Sequence, residues 1–151
     1  METKTLKIDA DFAKLIEKAA DLHGHLGPFL IIGVRMGNIA KRILNSNAEE
    51  NNGLQATAKT PLSTPFSCVI DGIQTATQCT IGNQRLKIET SEQELTALFR
   101  VHDSDKVLKI TVNSKIVDEL MNMFSEGTSN EDLAWKIAYT PEDTLFTIEK
   151  P

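Results

Sequence analysis

The chain has 151 residues, of which 40% are hydrophobic and 25% charged, with a formal net charge of −5. This composition predicts one domain over residues 1–151, and the lack of a basic excess argues against binding to nucleic acid or to an anionic membrane surface. There is no apolar run of the ~18 residues that a membrane span needs and no signal-peptide core, so we expect a cytoplasmic protein. Cys68 and Cys79 are too few for a secreted disulfide framework and are expected to be free thiols or metal ligands.

Apolar residues at helical spacing predict a first amphipathic helix. Its buried stripe is formed by Phe12, Leu15, Ile16, Ala19 and His23, which fall at positions i, i+3, i+4, i+7 and i+11. Because His23 continues this stripe, its imidazole should point inward, where it needs a hydrogen-bond partner or a metal.

A glycine-rich break follows the first helix. Gly24 and Gly27 weaken the helix, and Pro28 is well placed as the first residue of a new one. In an unbroken helix His23 and His25 would point about 200° apart, but a chain that unwinds at Gly24 brings both rings round. The break therefore allows the two imidazoles to share a ligand.

The second predicted helix, from Pro28 to about Asn45, is apolar around most of its circumference and is expected to be central and buried. Gly33 and Gly37 lie four residues apart and would let another backbone approach closely, within the chain or across a dimer. Three basic residues are assigned to its solvated side: Arg35, Lys41 and Arg42.

Strands and helices alternate along the rest of the chain. In chain order we predict an extended start around Leu6 and Ile8, a polar turn over 45–53, a strand over 54–60, a helix opened by Thr64 and Pro65, a short strand at 86–88, a hairpin of 95–101 and 108–112, helices opened by Ser114 and by Ser129 or Asn130, and a last extended piece after Pro141. His102, near the hairpin turn, is interpreted as solvated or contacting a partner.

A second group of chemically active residues lies in the predicted third helix. Cys68 and Asp71 share one of its faces, and Cys79 sits at its end. Without further information, the cysteines are explained as small buried hydrophobic side chains and Asp71 as part of a solvated face. His23 and His25 would then be a satisfied core histidine beside an unrelated surface one, so the residues alone leave both this interpretation and a joint site open.

Two separated motifs in this order resemble the family of the E-type subunit of formylmethanofuran dehydrogenase. They are His23 to Pro28, with Gly33 to Arg35 after it, and Cys68 to Gln74 followed by Cys79 to Gly82. The resemblance runs from about Phe12 to Asn113. It implies an α+β fold, in which an N-terminal helix pair and further helices pack on a mixed, mainly antiparallel sheet. It also implies a homodimer, a role accessory to the subunits of a molybdenum or tungsten oxidoreductase, and a relation to methanogenesis.

In that family the histidines and cysteines of the motif surround a metal, so the resemblance implies zinc or another divalent transition metal as cofactor. A site with three protein ligands leaves a position for water or substrate. His23, His25 and Cys79 would supply such a set, with Cys68 or Asp71 as the candidate fourth ligand.

The sequence departs from the family pattern at one ligand position. Gly27 stands where the family usually has cysteine and Phe29 where it often has glycine, and two cysteines are too few for the C-terminal zinc ribbon of some relatives. An alternative is therefore a metal-free interaction subunit with a decayed site, in which Gly27→Cys would restore binding. A third hypothesis is an enzyme, with Cys79 as a nucleophile activated by His25 or with a metal-bound water as base. The substrate and the reaction are not determined by the sequence.

Overall fold

Residues 8–44 and 53–151 are described by the computed structural model of this chain. Within them the helices are α1 (Ala10–His23), α2 (Pro28–Ile43), α3 (Cys68–Thr77), α4 (Ser114–Ser125), α5 (Asn130–Tyr139) and α6 (Glu142–Leu145). The strands are β1 (Leu54–Thr60), β2 (Leu86–Thr90), β3 (Thr96–Val101), β4 (Leu108–Val112) and β5 (Phe146–Glu149). The predicted extended start and the predicted polar turn lie outside the described residues, apart from Ile8 and Gly53.

The five strands form a mixed sheet in the order β2-β1-β3-β4-β5. β1 runs parallel to β2 and antiparallel to β3, and β3–β4 and β4–β5 are antiparallel pairs. The hairpin of β3 and β4 pairs Phe99 with Leu108. With helices packed on this sheet, the predicted α+β class is confirmed, as is the mainly antiparallel character of the sheet.

One face of the sheet belongs to the hydrophobic core. In β1 every second residue is buried, because successive side chains of a strand point to opposite faces. These residues pack in one cluster with side chains from the helices, among them Phe29, Ile73, Leu120 and Leu133. In the part of the chain that the structure describes, no helix is long and apolar enough to cross a membrane.

Glycines set the close contact between α2 and α3. A Cβ on Gly33 would lie 2.0 Å from the carbonyl oxygen of Val69, and one on Gly72 would lie 2.1 Å from that of Leu30. Each glycine costs about 1 kcal/mol relative to alanine in a helix, and here the loss is offset by backbone contact between two buried helices. The predicted packing role of Gly33 is confirmed, and the contact holds the start of α3 against α2.

Arg35 corrects one prediction. It was expected on the solvated side of α2, but only 6% of the residue is exposed. Its guanidinium donates to the carbonyl oxygen of Ile137 at 2.8 Å and to that of Thr140, and burial lowers its pKa to about 10. The periodicity of α2 does not reveal that these carbonyls, at the carboxyl end of α5, need a donor. Arg42, by contrast, is an exposed partner of Glu142 at 3.0 Å.

Candidate functional site

The break between α1 and α2 positions the two histidines. Gly24 caps the end of α1 with a φ of 96°, the left-handed conformation that glycine adopts readily. Beyond this cap the rings of His23 and His25 lie with their centroids 4.7 Å apart and their planes tilted by 40°. The expectation that a chain unwinding at Gly24 brings both imidazoles together is therefore confirmed.

His23 is oriented by a carboxylate of α3. Its Nδ1 lies 2.6 Å from Oδ2 of Asp71, which is in the first turn of that helix. Since a carboxylate only accepts hydrogen bonds, Nδ1 is the nitrogen that carries the proton and donates it. In the neutral ring, Nε2 is then left with its lone pair free.

That second nitrogen of His23 is buried without a partner. Among the described residues, His23 Nε2 is the one buried side-chain nitrogen or oxygen atom that has no hydrogen bond. The predicted inward orientation of His23 is confirmed, with 14% of its side chain exposed. A buried polar atom of this kind calls for an explanation, and a bound ion or ligand is one of the few available.

A cavity of about 510 Å³ opens beside the two histidines. Its wall combines the helix break, the turn before α3, and residues of α4 and α5. The lining residues are His23, His25, Gly27, Pro28, Phe29, Leu30, Thr64, Pro65, Cys68, Met121, Phe124 and Asn130. The turn at Thr64 and Pro65 belongs to this wall because α3 begins at Cys68, three residues after the predicted helix start.

The two cysteines occupy different surroundings. Cys68 lines the cavity, and its pKa is raised by burial and by the negative charge of Asp71. Cys79 does not line the cavity: it is 1% exposed in the hydrophobic core, and its thiol donates to the carbonyl oxygen of Leu54 at 3.2 Å. Burial raises the pKa of Cys79 as well, so neither thiol is activated as a nucleophile.

The structure therefore brings together part of the set named from the sequence. His23, His25 and Asp71 are neighbours, Cys68 shares their cavity, and Cys79 lies elsewhere. Within residues 8–44 and 53–151, no three or more His, Cys, Asp or Glu side chains are close enough together to hold a metal ion. What fits a metal is the free Nε2 of His23 with His25 next to it, while Asp71 serves as the support of His23.

Gly27, the position where the family pattern has cysteine, lies at this site. A Cβ placed there would be 3.8 Å from Nε2 of His25 and 3.2 Å from Oδ1 of Asn130. A thiol at this position would thus be carried on the same side of the cavity as His25. The missing side chain is missing from the site itself.

The cavity walls supplied by α4 and α5 were not identified from the sequence as part of a site. Met121 and Phe124 belong to the apolar face predicted for α4, and Asn130 is the first residue of α5. An apolar stripe has the same spacing whether it faces a core or a cavity, so the only available signal was the position of Asn130 at a helix start.

Fold and site together define an α+β domain with a carboxylate-supported histidine beside a mainly apolar cavity. The family model FmdE, described as "Molybdenum formylmethanofuran dehydrogenase operon", matches residues 22–147, and the chain belongs to this family. This confirms the resemblance drawn from the two sequence motifs.

Two relatives place the chain further. Over 90% of its length it is 28% identical to a probable S-adenosyl-L-methionine-binding protein of Archaeoglobus fulgidus, but it spans only 42% of that protein. The crystal structure of a tungsten formylmethanofuran dehydrogenase FmdE-like protein from Syntrophus aciditrophicus superposes with a TM-score of 0.61 at 21% identity, covering 92% of this chain and 72% of that one. The second comparison supports the fold.

Proposed function

We propose that this FmdE-family domain binds a divalent transition metal ion, zinc by default, with His23 Nε2 and His25 as two of its ligands. One observation carries the proposal: Asp71 holds His23 by Nδ1 and leaves a buried Nε2 with no partner. A metal-binding histidine almost always donates its other ring N–H to a carboxylate or carbonyl, which fixes the ring and its tautomer. In this arrangement Asp71 orients a ligand rather than being one.

Cys68 is our candidate for the third ligand. It shares the cavity with both histidines, whereas Cys79 would have to give up its hydrogen bond to Leu54 and leave the core. Burial and Asp71 hold the Cys68 thiol in its protonated form, so a cation is needed to draw off that proton. When bound, a zinc ion with three protein ligands would supply a Lewis acid with an open position.

We further propose that the domain is accessory to a molybdenum or tungsten oxidoreductase and acts as a homodimer in the cytoplasm. Family membership supports this placement, since the family description and the related crystal structure both name formylmethanofuran dehydrogenase. Co-purification of tagged partner subunits with the untagged chain tests it, with recovery of the chain alone as the opposing result.

Metal content tests the main proposal. Protein prepared without a histidine tag, loaded with zinc and dialysed, should retain roughly one ion per chain, as a zinc site does. His25→Ala and Cys68→Ala should lose most of it. His102→Ala is the matched control, because His102 is an exposed histidine outside the site with 63% of its side chain accessible. Equal, low zinc in all four proteins would overturn the proposal.

The alternative, a metal-free interaction domain with a decayed site, also has an observation in its favour. The described residues bring no three ligands together, and Gly27 lacks the side chain that would stand beside His25. Gly27→Cys separates the two proposals. Zinc binding by the variant but not by the parent chain would favour decay, while zinc binding by both would favour a working site.

A further inference from the structure

We propose that the cavity beside His23 takes an uncharged, largely apolar small molecule whose one polar group faces the two histidines. The inference rests on the proposed function only in using the same site, and it adds the chemical class of the molecule bound there.

The charge of the ligand follows from the cavity wall. No Asp, Glu, Lys or Arg is among the cavity-lining residues that the structure describes. The nearby carboxylate of Asp71 is already paired with His23. A charged ligand would thus lose its hydration without gaining an opposite charge, a loss of several kcal/mol for an unpaired ion.

The apolar body of the ligand follows from the opposite side of the wall. Phe29, Pro65, Met121 and Phe124 line it, and the volume of about 510 Å³ lies in the range of small-molecule sites, roughly 300–1,000 Å³. Met121 is an unbranched, polarisable side chain that adapts to different shapes. This wall suits an aromatic or aliphatic body better than a sugar or a phosphate.

The polar end of the ligand follows from the helix break. His23 Nε2 is a buried acceptor without a partner in the neutral tautomer that Asp71 favours. The amide of Asn130 lies on the same side, since Oδ1 of Asn130 and Nε2 of His25 are both within 3.8 Å of a Cβ built on Gly27. A hydroxyl or N–H group at this end would donate to His23 in the metal-free protein.

The test uses the full chain after chelator treatment and four probes at neutral pH: 2-naphthol, naphthalene, 2-naphthoate and S-adenosylmethionine. Binding is read from the methyl resonances of Met121, in the cavity wall, and Met36, buried in α2 and absent from that wall. 2-Naphthol should shift the Met121 signal saturably and leave Met36 unchanged. Naphthalene should bind about tenfold more weakly, the equivalent of one hydrogen bond. The anion and the sulfonium cation should give no saturable shift.

Two variants secure the assignment. His23→Phe should remove the advantage of 2-naphthol over naphthalene, and Phe124→Ala should weaken both by several-fold because it removes apolar contact. The unchanged Met36 resonance reports that each variant is folded.

The proposal is overturned if the naphthoate or S-adenosylmethionine binds more tightly than 2-naphthol, or if neither neutral probe shifts Met121. It is also overturned if Met121 shifts with protein concentration alone, because a second copy of the chain then covers the cavity. Since the protein is metal-free here, failure of the zinc experiment leaves this result unaffected, and failure of this titration leaves zinc binding unaffected.

Discussion

The imidazole of His23, at the end of α1, is held by the carboxylate of Asp71, in the first turn of α3, with 2.6 Å between Nδ1 and Oδ2. The start of a helix favours a negative charge, so α3 stabilises the ionised form of Asp71 that accepts this hydrogen bond. The pair fixes the tautomer of His23 and leaves Nε2 buried beside the cavity without a partner. Two helices are thus linked by the contact that prepares the candidate metal ligand.

Asp71→Asn should weaken zinc binding by about 10- to 100-fold, the usual effect of removing the carboxylate behind a ligating histidine. The reason is that an amide no longer fixes the proton on Nδ1. Competition titration with a chromophoric chelator measures the affinity. Asp103→Asn is the matched control, because Asp103 lies 3.4 Å from the exposed His102 and should leave zinc affinity unchanged. Equal affinity in wild type and Asp71→Asn would show that Asp71 has no such role.

The two cysteines should separate in their effects. Cys68→Ala is expected to reduce zinc retention, since Cys68 lines the cavity. Cys79→Ala should retain zinc but lower the free energy of unfolding by about 1–3 kcal/mol, because the carbonyl of Leu54 loses its donor in the core. Zinc content and urea unfolding of both variants provide the two measurements. Loss of zinc in Cys79→Ala alone would return Cys79 to the ligand set.

Gly33→Ala should destabilise the fold by about 3 kcal/mol, which corresponds to a Tm lower by roughly 6–12 °C for a chain of this size. The added Cβ would meet the backbone oxygen of Val69 at 2.0 Å, and a backbone atom of a buried helix has little room to move. Gly82→Ala is the control, because its Cβ would meet only Oγ1 of Thr80 at 3.9 Å. Similar thermal unfolding of the two variants would contradict the close contact of α2 and α3.

Arg35→Met should lower the free energy of unfolding by about 2–4 kcal/mol, because the carbonyls of Ile137 and Thr140 lose their donor. Arg42→Met removes an arginine of the same length from the exposed pair with Glu142 and should lose less than about 1 kcal/mol. Chemical unfolding of both variants gives the comparison. A smaller loss in Arg35→Met than in Arg42→Met would mean that the desolvation of Arg35 outweighs its hydrogen bonds.

The architecture was largely accessible from the sequence because hydrophobic periodicity is a local signal. The stripe of α1 and the alternation of β1 placed both elements correctly, and the break at Gly24 followed from the conformational freedom of glycine. The start of α3 was placed three residues early, since the turn at Thr64 and Pro65 carries the same signals as a helix start.

The site was accessible only in part, because its contacts join residues far apart in the chain. The inward orientation of His23 follows from its place on the stripe, but 48 residues separate it from Asp71, and no spacing rule links the two. The same holds for Arg35, whose acceptors in α5 are 102 and 105 residues away. The position of Cys79 in the core rather than at the cavity also depends on how α3 packs against β1, which composition does not specify.

The central claim, a metal ion on His23 Nε2, is tested most directly by zinc K-edge X-ray absorption on the zinc-loaded, untagged protein. We expect a first coordination shell with nitrogen at about 2.0–2.1 Å from His23 and His25 and one sulfur at about 2.3 Å from Cys68. Cys68→Ala should remove the sulfur contribution, and Cys79→Ala should leave it in place. A shell of oxygen atoms alone, unchanged in His25→Ala, would show that zinc is bound elsewhere and would contradict the claim.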